Sequence, residues 1–223
     1  MTTAQVIAGT KAKLTGHENE QKICKWLNLT RGGTHVVDGR SQTKRDIINE
    51  EKSVYYGLKS VTKNHTHCHI SVVHKWCEHF NITGELKEWY DLFFGIPHED
   101  VSNGTSRQHR LTKSQIDSHL NDIAVKWFND NKLEIFDIIV RRGLYNTPID
   151  YQIWHHKPTD GIEIHSIDEL EKLVYNGNWV MNETTLWFID SNGKKLFHLQ
   201  MKGSGKKYVS GYHAMMFHIY KTL

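Results

Sequence analysis

Two short extended runs, residues 45–49 and 54–60, flank the polar tetrapeptide Glu50-Glu51-Lys52-Ser53, and this hairpin constrains the chain more than any other feature. With the turn centred on Glu51 and Lys52, antiparallel partners have numbers summing to about 103. Asp46 then faces Gly57, and Lys59 lies one pleat further along the same strand face. A carboxylate and an ammonium thus meet at the open end of the hairpin. A helix is predicted on either side. Residues 16–28 carry Ile23, Cys24, Trp26 and Leu27 at helical spacing behind a Thr15/Glu18 capping box. Residues 69–80 place Val72, Val73, Trp76, Cys77 and Phe80 on one stripe. A third short strand is expected at 34–38, after Gly32-Gly33.

Further on, residues 103–110 (NGTSRQHR) form a polar, basic break. Residues 114–129 are the clearest helix, with Ile116, Leu120, Ile123, Ala124, Trp127 and Phe128 in register. The apolar run 134–140 reads as a buried strand. A strand near 151–154, a helix near 167–175 and a hairpin of 185–189 with 195–201 complete the pattern. Asn192-Gly193 between the last two is a type I′ turn signal. The fold class expected is α/β (α+β): a mixed sheet of about five strands flanked by helices, with a C-terminal β-hairpin elaboration.

Composition narrows the class. In 223 residues, 38% hydrophobic and 24% charged with three prolines, a disordered or collagen-like chain is excluded. No apolar run approaches the ~18–20 residues of a membrane span, and the N-terminus lacks a secretory apolar stretch. Cys24, Cys68 and Cys77 form no disulfide framework, so the reducing cytoplasm is the expected compartment. A net charge of +3 says little by itself; where the charge clusters matters more.

Asp46 and Lys59 have the chemistry of phosphodiester hydrolysis, in which a carboxylate holds a divalent cation and a lysine stands beside the attacking water. Helix, strand, Asp-bearing strand, strand ending in x-Lys, then helix resembles the core of the PD-(D/E)XK nuclease family, which includes restriction endonucleases and Holliday-junction resolvases. The resemblance covers residues 14–80. It implies Asp46 as the metal-binding aspartate, Lys59 as the lysine of the E-x-K element, and Glu20 as the glutamate that resolvase-like members add from the first helix. Gly57 departs from the pattern, since it stands where the E-x-K glutamate belongs. Glu20 or Glu18 must then supply the carboxylate, or Ser60 and the Leu58 main-chain carbonyl must suffice.

The resemblance implies a single nuclease domain over 1–223, with 14–80 as the catalytic core and 103–223 as the remaining core and DNA-reading elements. The expected activity is that of a type II restriction endonuclease on double-stranded DNA. It would use Mg²⁺, for which Mn²⁺ can substitute, as a homodimer beside a cognate DNA methyltransferase. The alternatives are a non-catalytic nucleic-acid binder on a decayed core, a structure-specific resolvase or nickase, and a zinc-stabilised interaction module.

Asp190 with Gln200-Met-Lys202 mimics the same catalytic string, but a turn at Asn192-Gly193 separates Asp190 from Gln200 by about 16 Å. Gln200, Lys202, Lys206 and Lys207 are read instead as DNA contacts, in which glycines admit the phosphates and lysines neutralise them. Arg107, Arg110 and Lys113 form a second basic candidate. His65, His67, Cys68, His69, His74, Cys77 and His79 have a ligand-rich look without a zinc spacing. Cys77 is expected in the core, and His67 facing phosphate. No nucleophile elbow, phosphate loop or dinucleotide fingerprint occurs.

Overall fold

The computed structural model describes residues 3–31, 36–37, 40–41, 44–62, 65–94, 111–144, 146–200 and 214–220. The chain opens with α1 (Thr3–Leu27), β1 (Thr30–Arg31), β2 (Val36–Val37), β3 (Arg40–Ser41), β4 (Ile47–Asn49) and β5 (Val54–Val61). There follow β6 (His65–Val72), α2 (Val73–His79), α3 (Gly84–Phe94), α4 (Ser118–Asp130) and α5 (Lys132–Phe136). It closes with β7 (Tyr151–His156), β8 (Gly161–Ser166), α6 (Ile167–Tyr175), β9 (Asn178–Met181), β10 (Thr185–Ile189), β11 (Lys195–Gln200) and β12 (Ala214–Tyr220). Among the described residues no helix is long and apolar enough to cross a membrane. The expected α+β class with a mixed sheet is present. The chain divides into two compact units, Met1–Lys63 with Asp137–Glu171, and Asn64–Phe136 with Lys172–Leu223. The segment 14–80 therefore contributes to both.

In the first unit the sheet order is β1-β4-β5-β7-β8. Only β5 and β7 run parallel; the other neighbours are antiparallel. Gln152, Ile153, Trp154 and His155 are all buried, as a strand covered on both faces requires. Ile23 and Cys24 of α1 pack on Ile47 and Ile153, with Leu27, Tyr56, Leu58 and Ile162 around them. Each fully buried isoleucine contributes ~1.5–3 kcal/mol. The helix is longer than the capping box implied: Thr15 lies inside α1, whose preceding turns carry Ala4, Gln5, Ala8, Lys11, Ala12, Lys13 and Leu14, all good helix formers.

The run 134–140 is not a strand. Within the first unit, Asp137–Arg142 forms a π-helical turn, with Arg141 and Arg142 both paired to Asp137 at 3.2 and 3.0 Å. Its apolar residues Ile138, Ile139 and Val140 are buried, and an apolar run of this length cannot distinguish strand from buried helix. The i, i+4 spacing of Asp137 and Arg141 is the helical signal it contained.

The second unit is built on an antiparallel sheet, β6-β12-β11-β10-β9. Its core is aromatic: Trp76, Trp89, Tyr90, Phe93, Phe128, Trp179, Phe188, Phe197 and Phe217 are buried. Two of its indoles are paired, while the buried Trp179 Nε1 has no hydrogen-bond partner among the described residues. Trp76 Nε1 donates to Tyr90 Oη at 3.0 Å, and Trp89 Nε1 to Asn121 Oδ1 at 3.2 Å. The helix expected over 69–80 begins only at Val73, because residues up to Val72 pair with β12. Helix α3 was not foreseen. The β10–β11 hairpin forms, but its turn is not type I′: Gly193 alone has positive φ (77°), and the Asp190 carboxylate accepts from Asn192 N and Lys194 N instead.

Candidate active site

The β4–β5 register pairs Ile47 with Tyr56 and Ile48 with Tyr55. Asp46 N donates to Tyr56 O at 2.9 Å, which extends the hydrogen bonding to β5 one residue beyond Ile47. Asp46 Oδ2 accepts from Leu58 N at 2.7 Å, so the carboxylate bends over the strand end and is held there. Burial raises the Asp46 pKa above the ordinary carboxylate value. The Lys59 ammonium, the Leu58 N–H and Lys44 oppose that rise, and the Glu20 carboxylate adds to it. Asp46, Lys59 and Glu20 thus share one electrostatic neighbourhood, formed by the β4–β5 hairpin and α1. Leu58 joins it through its N–H. Glu18, two residues away and so on the opposite side of α1 from Glu20, is exposed.

The glutamate missing at Gly57 has a steric reason. A Cβ there would meet Ile149 Cδ1 at 2.7 Å, Gln152 Oε1 at 3.2 Å and the Lys44 carbonyl at 3.4 Å. Gln152, the register partner of Gly57 on β7, is buried and donates from Nε2 to Gly57 O at 2.8 Å and to Ile153 O at 3.1 Å. A neutral amide on the neighbouring strand fills the space a side chain at 57 would take. Sequence reasoning missed Gln152, because nothing local announces that β7 lies parallel to β5.

Ser60 turns to the opposite strand face from Lys59 and is engaged elsewhere. Its hydroxyl lies 3.3 Å from His155 Nδ1, and His155 Nε2 lies 2.7 Å from Asp160 Oδ1. The ionised carboxylate can only accept, so Nε2 carries a proton and donates to Asp160. Lys22 also bonds Asp160 and sits 4.5 Å over the Trp26 ring. Hydrogen bonds from Lys22 and then His155 lower the Asp160 pKa. The chain from Ser60 to Lys22 anchors α1, and with it Glu20, to β5 and the β7–β8 turn.

The oxygen donors near Asp46 suit a hard divalent cation. Burial and, to a smaller degree, the Glu20 carboxylate raise the Asp46 pKa, a cost that such an ion relieves, so the residues present fit Mg²⁺.

The predicted DNA contacts have different fates. Lys202, Lys206, Lys207, Arg107 and Arg110 lie outside the described residues. Gln200 ends β11, opposite Thr185 and Met216. Lys113 is used structurally: its N donates to Glu183 O at 2.8 Å, and its Nζ lies 3.5 Å from Met181 O. The rival string is open, since Ile189 pairs with Lys195 while Gln200 pairs with Thr185 at the far end of the hairpin. In the histidine cluster Cys77 is buried in the core and His79 lies 3.7 Å from Glu134. His67 is exposed on β6.

No family model matches the sequence, and no curated protein matches it. Among solved structures, the restriction endonuclease MspI in complex with its cognate DNA aligns with 90% of this chain and 76% of that chain, at a TM-score of 0.44 and 12% identity.

Proposed function

We propose that the chain is a Mg²⁺-dependent endonuclease of the PD-(D/E)XK kind that cuts double-stranded DNA at a specific short sequence. The observation that carries this reading is the buried Asp46 carboxylate, fixed by Leu58 N–H and within electrostatic reach of Lys59 and Glu20. Asp46 and Glu20 hold the cation, with the Leu58 carbonyl available beside them. Gln152 Oε1 offers a neutral oxygen in place of the E-x-K glutamate. The cation supplies charge neutralisation at the scissile phosphate and acidifies water. Lys59 orients the attacking water in line and stabilises charge that develops on the phosphorane. Palindromic sites suit a homodimer with one site per chain, and a site-specific cutter needs a methyltransferase to protect host DNA.

Plasmid and phage DNA incubated with the full chain and Mg²⁺ test the reading. Discrete fragments that EDTA abolishes support it. An intact gel shift without cutting, in Mg²⁺ and in Mn²⁺, replaces it with a non-catalytic binder in which the amide at Gln152 has supplanted the acid.

A further inference from the structure

The sheet of the second unit has one apolar face and one made of imidazoles. Cys68, Phe217, Leu199 and Leu186 align across four strands on the core side. One residue on, the same register brings His67, His218, His198 and Trp187 into a row. His65 and Tyr220 form the next rung. On such a lattice, residues i and i+2 of one strand lie roughly 6.6 Å apart on one face, and each faces a cross-strand partner at about 5 Å. A His-x-His pair on one strand and a histidine across from it therefore make a compact triangle of ring nitrogens.

His65, His67 and His218 form that triangle. One ring nitrogen from each lies within 4.8 Å of the other two. The ring centroids are separated by 4.1 Å for His67–His218, 5.1 Å for His65–His218 and 5.8 Å for His65–His67. Three nitrogens on a tetrahedral zinc, each at 2.0–2.1 Å, stand roughly 3.4 Å apart, and small side-chain rotations close that gap. The surroundings favour a fixed triangle. His198 stacks on His218 with centroids 4.0 Å apart, and its Nδ1 lies 3.1 Å from Tyr220 Oη. His218 and His198 are buried, while His65 is half-buried and His67 exposed, so an ion has an entry path.

The geometry points to a transition-metal site on His65, His67 and His218, of zinc class and with its fourth position open to water. Three imidazoles suit Zn²⁺, Ni²⁺ or Cu²⁺ and offer Mg²⁺ nothing, since that ion takes oxygen donors. The site is therefore chemically separate from Asp46 and Glu20, and it does not rest on the nuclease reading. Its ligands come from β6, the edge strand of the sheet, and β12, its neighbour. A bound ion pins that edge to the sheet, where a register shift between Met215 and Met216 already interrupts the ladder.

The test is calorimetric titration of the metal-stripped full chain with ZnCl₂, in wild type and in His65→Ala, His67→Ala and His119→Ala. His119, mostly exposed on α4, controls for adventitious surface histidines. The expected result is one zinc per chain, affinity lowered at least tenfold by each of the first two substitutions, and none lost in the control. CoCl₂ on wild type should give visible bands of a tetrahedral or five-coordinate ion, which needs no variant to fold. Circular dichroism verifies the folding of each variant. No stoichiometric zinc in wild type, or equal affinity in a folded His65→Ala/His67→Ala double variant, overturns the assignment. Excess MgCl₂ should not compete; competition at equal concentration also overturns it.

Discussion

Gly57→Ala is the substitution whose cost the structure fixes most closely. The new Cβ meets Ile149 Cδ1 at 2.7 Å, a distance at which something must shift, while its contacts with Gln152 Oε1 and the Lys44 carbonyl are merely tight. Overpacking of this kind costs ~1–3 kcal/mol. For a chain of this size each kcal/mol lowers the thermal midpoint by about 2–4 °C, so the single variant should melt lower by ~2–12 °C. Ile149 is buried, and Ile149→Val alone should cost ~0.5–1.5 kcal/mol. That substitution deletes the Cδ1 methyl that the alanine strikes. The double variant should therefore be no less stable than Gly57→Ala, with a coupling of at least ~0.5 kcal/mol. Urea denaturation of all four proteins measures the cycle. Strictly additive losses would show that the methyl is not what excludes a side chain at position 57. The steric account of the missing glutamate would then be wrong.

Further expectations concern both units. Gly177→Ala places a Cβ 2.4 Å from Phe188 Cε1 and 2.8 Å from the Ile189 carbonyl. Backbone cannot yield as a side-chain tip does, so this change should cost ~3 kcal/mol or more, read as a lower urea midpoint; a neutral result would contradict the packing of β9 on β10. Burial pushes the Cys77 thiol up to about 11, against the pull of Lys87. At pH 8 the thiolate is then roughly a few hundredfold scarcer than for a free cysteine of pKa about 8.5. Iodoacetamide should spare Cys77 in the native chain and label it in urea; fast native labelling would refute the buried placement. Gln152→Glu puts a carboxylate where Gly57 forbids one. Its added charge should strengthen Mn²⁺ binding at the Asp46 site, and Mn²⁺ affinity equal to or below that of wild type would remove Gln152 from the candidate ligands.

What the sequence disclosed was local. The turn at Glu51-Lys52 and the two-residue period of the strands were enough to give the β4–β5 register from Ile47–Tyr56 to Asn49–Val54. Helix α6 and the β10–β11 pairing were legible for the same reason, because each depends on residues fewer than twenty apart. Non-local pairing was not legible. The parallel contact of β5 with β7 joins Gly57 to Gln152 across 95 residues, and no periodicity encodes it. The histidine triangle was half visible: His65 and His67 stood out, but His218 reaches them only through β12. The errors at residues 69–72 and 134–140 share one cause, since short apolar runs satisfy strand and helix patterns alike until a partner strand decides.

The central claim is that Asp46 and Lys59 act together on a phosphodiester, and single-turnover cleavage of DNA with Mg²⁺ tests it most directly. Wild type, Asp46→Asn and Lys59→Ala should be compared at equal DNA occupancy, after circular dichroism has verified folding. The account predicts cutting by wild type and rates at least 10²–10³-fold lower in each variant, with DNA binding retained. Cleavage by both variants at the wild-type rate would contradict it.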